Sequence, residues 1–132
     1  MAVFVDTSAW FALASAGDQD HSAARNEYAV LVKRGEALVT TSYVLAETMG
    51  LIQHRLGWKA LELFAAVAQT CDIAWVDATR HRAAEEVLFR RRRRRINIVD
   101  AASFAVMREL ALDTSFAFDD DFAREGFQVL PA

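Results

Sequence analysis

The chain has 132 residues, 54% hydrophobic and 25% charged, the composition of one ordinary globular domain and not of a disordered segment. That length buries roughly two-thirds of the unfolded surface, so neither a disulfide nor a structural metal is needed for folding. The net charge of −3 is unevenly spread: six of the fifteen basic residues are consecutive, Arg90 to Arg95, leaving nine against eighteen acidic ones elsewhere.

In chain order, Val3-Phe4-Val5 reads as a short strand. No basic, apolar leader precedes it, which predicts a cytoplasmic chain. A helix is predicted over 7–16, opening near Thr7 or Ser8, and a second over 21–33, closed by Gly35. A strand over 37–40 leads into a long helix over 42–56, which Gly57 ends. Another helix covers 58–69, a strand 72–76, and helices 79–92 and 99–110. A strand over 115–118, a short helix over 119–125 and a strand over 127–130 complete the chain. The only proline, Pro131, lies outside all of these elements, and no linker or repeat divides the chain, so 1–132 reads as a single domain. Strands alternating with helices predict an α/β class fold of three layers, α/β/α, around a short and mainly parallel sheet. No apolar stretch is long enough to span a membrane. The lone Cys71 has no disulfide partner, and three scattered histidines (His21, His54, His81) cannot build a standard zinc site.

In such a sheet, sites form where strands end at their carboxyl edge. Asp6 ends the first apolar run, and Asp119, Asp120 and Asp121 follow the fourth. Glu47 lies at helical spacing from Val44 and Leu51, on an apolar face where an unpaired carboxylate is costly. Asp100 stands among small and apolar residues at a predicted helix start. Each acid also has a plain structural explanation. Asp6 suits a helix N-cap, Asp100 a first-turn acid, the three aspartates a polar turn, and Glu47 a buried arginine pair. Together they suggest more, because converging carboxylates repel one another and retain protons unless a cation neutralises them. Oxygen-only donors suit Mg²⁺, or Mn²⁺ in its place.

Four pieces in this order resemble the PIN-domain family, and within it the VapC-like toxin ribonucleases. They are Val5-Asp6-Thr7-Ser8-Ala9-Trp10, Leu45-Ala46-Glu47, Ile98-Val99-Asp100-Ala101 and Phe118-Asp119-Asp120-Asp121-Phe122. The resemblance spans nearly the whole chain. It implies an acidic catalytic set of Asp6, Glu47, Asp100 and Asp119, with metal held by Asp6, Asp100, Asp119 and Asp121. It also implies a hydroxyl, Thr7 or Ser8, toward the substrate, and Mg²⁺-dependent endonucleolytic cleavage of RNA. A cognate antitoxin and a homodimer are the implied partners. Two positions depart from the family pattern. Ala117 replaces a hydroxyl residue, whose contact is then missing or supplied by Ser115, and Asn97 stands where serine or threonine is common.

The arginine block predicts phosphate contacts, with Arg91, Arg92 and Arg94 assigned to RNA; its bland reading is a solvated helix end, and a third reading has one of the arginines neutralise the acid cluster. Trp10, Trp58 and Trp75 read as core or interface residues, and the histidines as surface residues. Two other enzyme classes fit poorly. An aspartic protease, suggested by Asp6-Thr7-Ser8, needs an all-β fold, and a haloacid-dehalogenase-like phosphatase needs an acid where Ser8 stands. The alternative function is a degenerate PIN domain that binds RNA or a protein partner without cutting.

Overall fold

Residues 1–132 are described by a computed structural model. Five strands, β1 (Ala2–Val5), β2 (Ala37–Thr41), β3 (Asp72–Ala74), β4 (Thr114–Phe116) and β5 (Gln128–Leu130), form one sheet in the order β3-β2-β1-β4-β5. Every pairing is parallel, so the sheet is wholly rather than mainly parallel. Seven helices connect the strands: α1 (Thr7–Ala14), α2 (His21–Lys33), α3 (Ser42–Leu56), α4 (Trp58–Ala68), α5 (Ala78–Arg91), α6 (Ile98–Glu109) and α7 (Asp121–Arg124).

From β1 the chain steps outward to β2 and β3, then returns past β1 to β4 and β5. Right-handed crossovers place the helices of the two excursions on opposite faces, which yields the three layers. Side-chain alternation along β1 matches this. Phe4 meets Phe122 with ring centroids 6.1 Å apart, and Phe122 packs edge-on against Phe104 of α6. On the α1–α4 side, Trp10 meets Phe64 of α4 edge-on at 5.5 Å. Because β1 is central and covered on both faces, Val3, Phe4 and Val5 are all buried.

Local chemistry explains where the elements depart from the sequence-based boundaries. The first helix ends at Ala14 because Ser15 turns to extended backbone before Gly17. The third strand ends at Ala74, two residues early. The fourth covers Thr114–Phe116, because the Phe118 N–H leaves the ladder for the Ser8 hydroxyl. The last helix starts at Asp121, not at 119, because the Asp119 carboxylate accepts the Asp121 N–H and holds a turn there.

Helix α7 has only four residues and is held from outside. Its C-cap, Glu125, is clasped by Arg91 of α5 and Arg108 of α6, each at 2.8 Å, and its side chain is 1% exposed. The two guanidinium groups hold the carboxyl at about 2, well below its ordinary 4.5. Such a depressed acid stabilises the fold above the unfolded value, and that contribution fades as pH falls from about 4.5 toward 2. Glu125→Gln is expected to lower the unfolding free energy at pH 7 by about 2 kcal/mol, since both arginines are part-exposed and recover hydration. Urea melts at pH 7 and pH 3 check this: the difference from wild type should shrink at the lower pH.

Candidate active site

The chain reverses direction across the sheet between β1 and β4, and their carboxyl ends open a crevice. Asp6 follows β1 directly, and its backbone N–H donates to the Phe116 carbonyl at 3.1 Å, fixing it beside the end of β4. Its carboxylate caps α1, accepting the Ser8 N–H at 3.1 Å and the Ser8 hydroxyl at 2.7 Å. Ser8 in turn accepts the Phe118 N–H at 3.0 Å. One serine therefore ties the acid after β1 to the segment leading into Asp119. Asp6 is 3% exposed. Burial, with Asp119 and then Asp100 nearby, pushes its carboxyl up to about 7 against the Ser8 hydrogen bonds.

Asp100 arrives on the first turn of α6. A reciprocal box holds it: Asn97 accepts the N–H groups of Val99 (2.9 Å) and Asp100 (3.1 Å), while Asp100 accepts the Asn97 N–H at 3.0 Å. Asn97 thus does the capping work of the hydroxyl residue it replaces. Burial lifts Asp100 to about 6, with Asp119, Glu47 and Asp121 adding repulsion. Asp119 is raised as well, by burial and then by Asp121. Its charge and that of Asp6 repel each other across the crevice, which favours retention of a proton by the pair. Asp121 is buried and paired with Arg93 at 3.1 Å.

Glu47 is half-buried on α3, and no arginine pairs with it; its charge is felt at Asp100. The buried Thr48 and Thr7 hydroxyls are joined at 3.1 Å, linking α3 to α1 next to Glu47. The four predicted catalytic acids are electrostatically linked, each influencing or influenced by at least one other. No three of the acidic, histidine or cysteine side chains are close enough to enclose a metal ion directly.

Other predicted site residues have internal roles. The Thr7 hydroxyl is buried against Thr48, and the Ser8 hydroxyl is taken by Asp6 and Phe118. Arg91, read as an RNA contact, is held by Glu125. Arg92 and Arg94 are exposed and enter no ion pair. Ser115 does not supply the hydroxyl missing at Ala117: it is buried and donates to the Gln128 carbonyl on β5. Of the tryptophans, Trp10 is core, while Trp58 (68% exposed) and Trp75 (65%) stand in solvent. Two histidines are less peripheral than predicted. His21 Nδ1 bonds the Ala12 carbonyl at 2.8 Å, and His81 Nδ1 bonds the Tyr43 hydroxyl. Arg93 is the arginine of the block that meets the acid cluster, at Asp121, and the connections missing from the sequence reading are Ser8 to Phe118 and Thr48 to Thr7. No local spacing signals such long-range pairs.

A parallel α/β sheet with carboxylates gathered at its switch point has the layout of an acidic-site nuclease. Residues 3–128 match the PIN domain family model, and the chain belongs to this family and is a nuclease of it. It is 38% identical to the 23S rRNA-specific endonuclease VapC20 of Mycobacterium tuberculosis over 127 residues, covering 95% of each chain, in two strains of that organism. The crystal structure of M. tuberculosis VapC20, described as a Sarcin-Ricin loop cleaving toxin, superposes with a TM-score of 0.87 over 96% of both chains. More distant likenesses show the same fold. VapBC2 from Rickettsia felis, bound to a DNA fragment from its promoter, matches at 15% identity and TM-score 0.73, covering 98% and 97% of the chains. FitAcB from Neisseria gonorrhoeae matches at 13% and 0.68, covering 96% and 95%. No helix is long and apolar enough to cross a membrane.

Proposed function

We propose that the chain is a Mg²⁺-dependent endoribonuclease acting as the toxin of a toxin–antitoxin pair, with Mn²⁺ as an effective substitute. The observation that carries this reading is the group formed by the buried Asp6 and the half-buried Asp100 and Asp119, all shifted toward the proton-bound form at one strand edge. Such a group is short of positive charge, and its all-oxygen chemistry fits a hard divalent cation. Mg²⁺ keeps several waters, so the open spacing of the carboxylates suits it better than a closed cage of direct ligands would. Asp6, Asp100, Asp119 and Asp121 would hold the ion, and Glu47 would complete the acidic set. When bound, the ion supplies a Lewis acid and a water acidic enough to attack phosphorus near neutral pH.

The chain's own residues do the positioning. Ser8 fixes the Asp6 carboxylate and the approach to Asp119, and the Asn97 box fixes Asp100. Hydrolysis with the 3′ oxygen leaving gives 5′-phosphate and 3′-hydroxyl ends. The name of the M. tuberculosis relative makes 23S ribosomal RNA the first substrate to test. End-labelled RNA incubated with Mg²⁺, Mn²⁺ or EDTA tests the reading. Cutting that needs metal supports it, and cutting that persists in EDTA rejects it. A domain that binds without cutting is favoured only by the absent hydroxyl at Ala117, and every acid of the set is retained.

Arg92 and Arg94 are the proposed phosphate contacts, joined by the equally exposed Arg90. Arg91 shares the same surface but is bound to Glu125. Changing Arg92 and Arg94 together to glutamine should flatten the log-affinity against log-salt slope for single-stranded RNA by about 1.4. Fluorescence anisotropy across a salt series checks this, and an unchanged slope removes both residues from the interface.

The proposed protein partners are the antitoxin and a second copy of the chain, and the compartment is the cytoplasm. An all-apolar groove of about 260 Å³, lined by Trp10, Leu13, Tyr28, Leu63, Phe64 and others, offers the antitoxin a seat. Trp10 lies one helical turn from Asp6, and its buried indole N–H has no acceptor. Trp58 and Met49 are exposed apolar side chains outside the groove lining, available to a second copy.

A further inference from the structure

We propose that Arg93 is a positioning residue for the acidic site, holding Asp121 and, through it, the Asp119 turn in the arrangement that receives the divalent cation. The inference rests on the metal-site reading above and adds a residue from another part of the chain to it.

The geometry of the arginine block carries the argument. Helix α5 ends at Arg91, and Arg92 takes left-handed backbone, φ 49° and ψ 37°. A non-glycine residue there reverses the chain at a cost of about 1 kcal/mol. The block is therefore not a helix radiating arginines in all directions. Arg91, still on the helix, reaches Glu125 at the far end of α7. Arg93, past the reversal, places Nη2 3.1 Å from Asp121 Oδ1 at the near end of α7. Arg90, Arg92 and Arg94 remain outside.

The contact runs directly into the site. The backbone N–H of Asp121 donates to Asp119 Oδ1 at 3.1 Å, and the preceding Phe118 N–H is tied through the Ser8 hydroxyl to Asp6. A four-residue helix does not hold its own shape in water. With acids on either side repelling, the turn that carries Asp119 and Asp121 would swing outward without a cation behind it. Arg93 supplies that cation at Asp121 and engages one of its oxygens, leaving Oδ2 free of protein hydrogen bonds, while the charge of Arg95 is felt at Asp119. A surface ion pair of this length would contribute little, but here the acid is buried and the arginine only part-exposed.

Mn²⁺ binding, followed by electron paramagnetic resonance on the full chain, tests the role without relying on turnover. Arg93→Gln is expected to weaken Mn²⁺ binding about tenfold and to lower kcat for RNA cleavage more than it raises KM. Arg93→Lys keeps the charge and should recover most of the affinity. In an Asp121→Asn background, Arg93→Gln should have no further effect on Mn²⁺ affinity, which separates action through Asp121 from a general loosening. Wild-type protein that binds no Mn²⁺ overturns the metal-site reading and this inference with it. Wild-type binding with unchanged or tighter binding by Arg93→Gln overturns the positioning role alone. Equal losses from Arg93→Gln in the wild-type and Asp121→Asn backgrounds also overturn it.

Discussion

Asp6→Asn is expected to reduce RNA cleavage by roughly 10³-fold or more while raising the melting temperature of the metal-free protein. The two effects share one cause. Asp6 lies deepest in the acid cluster, so it is both the best-placed carboxylate for a cation and the most costly one to ionise without a cation. Its carboxyl is displaced from 3.8 to about 7, chiefly by burial and by Asp119. Each unit of displacement corresponds to about 1.4 kcal/mol. With the proton shared between Asp6 and Asp119, about 2 kcal/mol of that is recoverable by neutralising one partner. For a domain of this size the gain amounts to roughly 6 °C. Asparagine is also a good N-cap, so the bond from the Ser8 N–H survives and the start of α1 is kept. Thermal melts in EDTA at pH 7.5, paired with gel analysis of labelled RNA in Mg²⁺, read both effects. An active mutant would remove Asp6 from catalysis, and a lower melting temperature would show that the carboxylate stabilises the fold.

A second large effect concerns pH. Without divalent metal, the protein is expected to lose up to about 6 kcal/mol of stability as pH rises from about 4 to about 7. The unfolded chain releases the protons of Asp6 and Asp100 near 3.8, whereas the folded chain keeps them to about 7 and about 6. Between those values the folded state binds more protons, so each increment of pH favours unfolding. Glu125 acts in the opposite direction below about 4.5, which places the stability maximum of the metal-free protein near pH 4. Millimolar Mg²⁺ binds the ionised acids and should flatten the fall toward pH 7. Denaturant titrations at pH 4.5, 6 and 7.5, with and without Mg²⁺, measure this directly. A metal-free protein that grows more stable from pH 5 to 7.5 would contradict the origin assigned to the raised carboxyls.

The sequence was most readable where local rules and function coincide. Asp6 and Asp100 each obey an ordinary helix-start rule and occupy the site as well, so capping chemistry locates them and the strand order gives them a common edge. The short apolar runs identify all five strands because a parallel sheet covered on both faces leaves no alternation to confuse them. Legibility failed where a side chain was claimed by a distant partner. Arg91 reads as a free cation until Glu125, 34 residues on, is folded against it. Ser115 reads as a stand-in for a missing hydroxyl until β5 takes it. The 119–121 segment reads as helix because a side-chain bond that holds a turn has no periodic signature. Glu47 shows a further limit: helical spacing placed it on an apolar face, but only the packing of α3 toward α6 shows that its charge is felt by Asp100 and not by an arginine.

The central position of β1, between β2 and β4, also bears on how the protein is made. Asp6 is synthesised more than a hundred residues before Asp119, and they meet only when β4 enters the sheet alongside β1. A nascent chain carrying the first hundred residues holds Asp6, Glu47 and Asp100 but has no β4 to close the crevice. Contacts so far apart in sequence form late in folding. The acidic site would thus stay incomplete on an elongating chain until the fourth strand and Asp119 had been synthesised. Truncation anywhere before the fourth strand would leave the acidic set without Asp119.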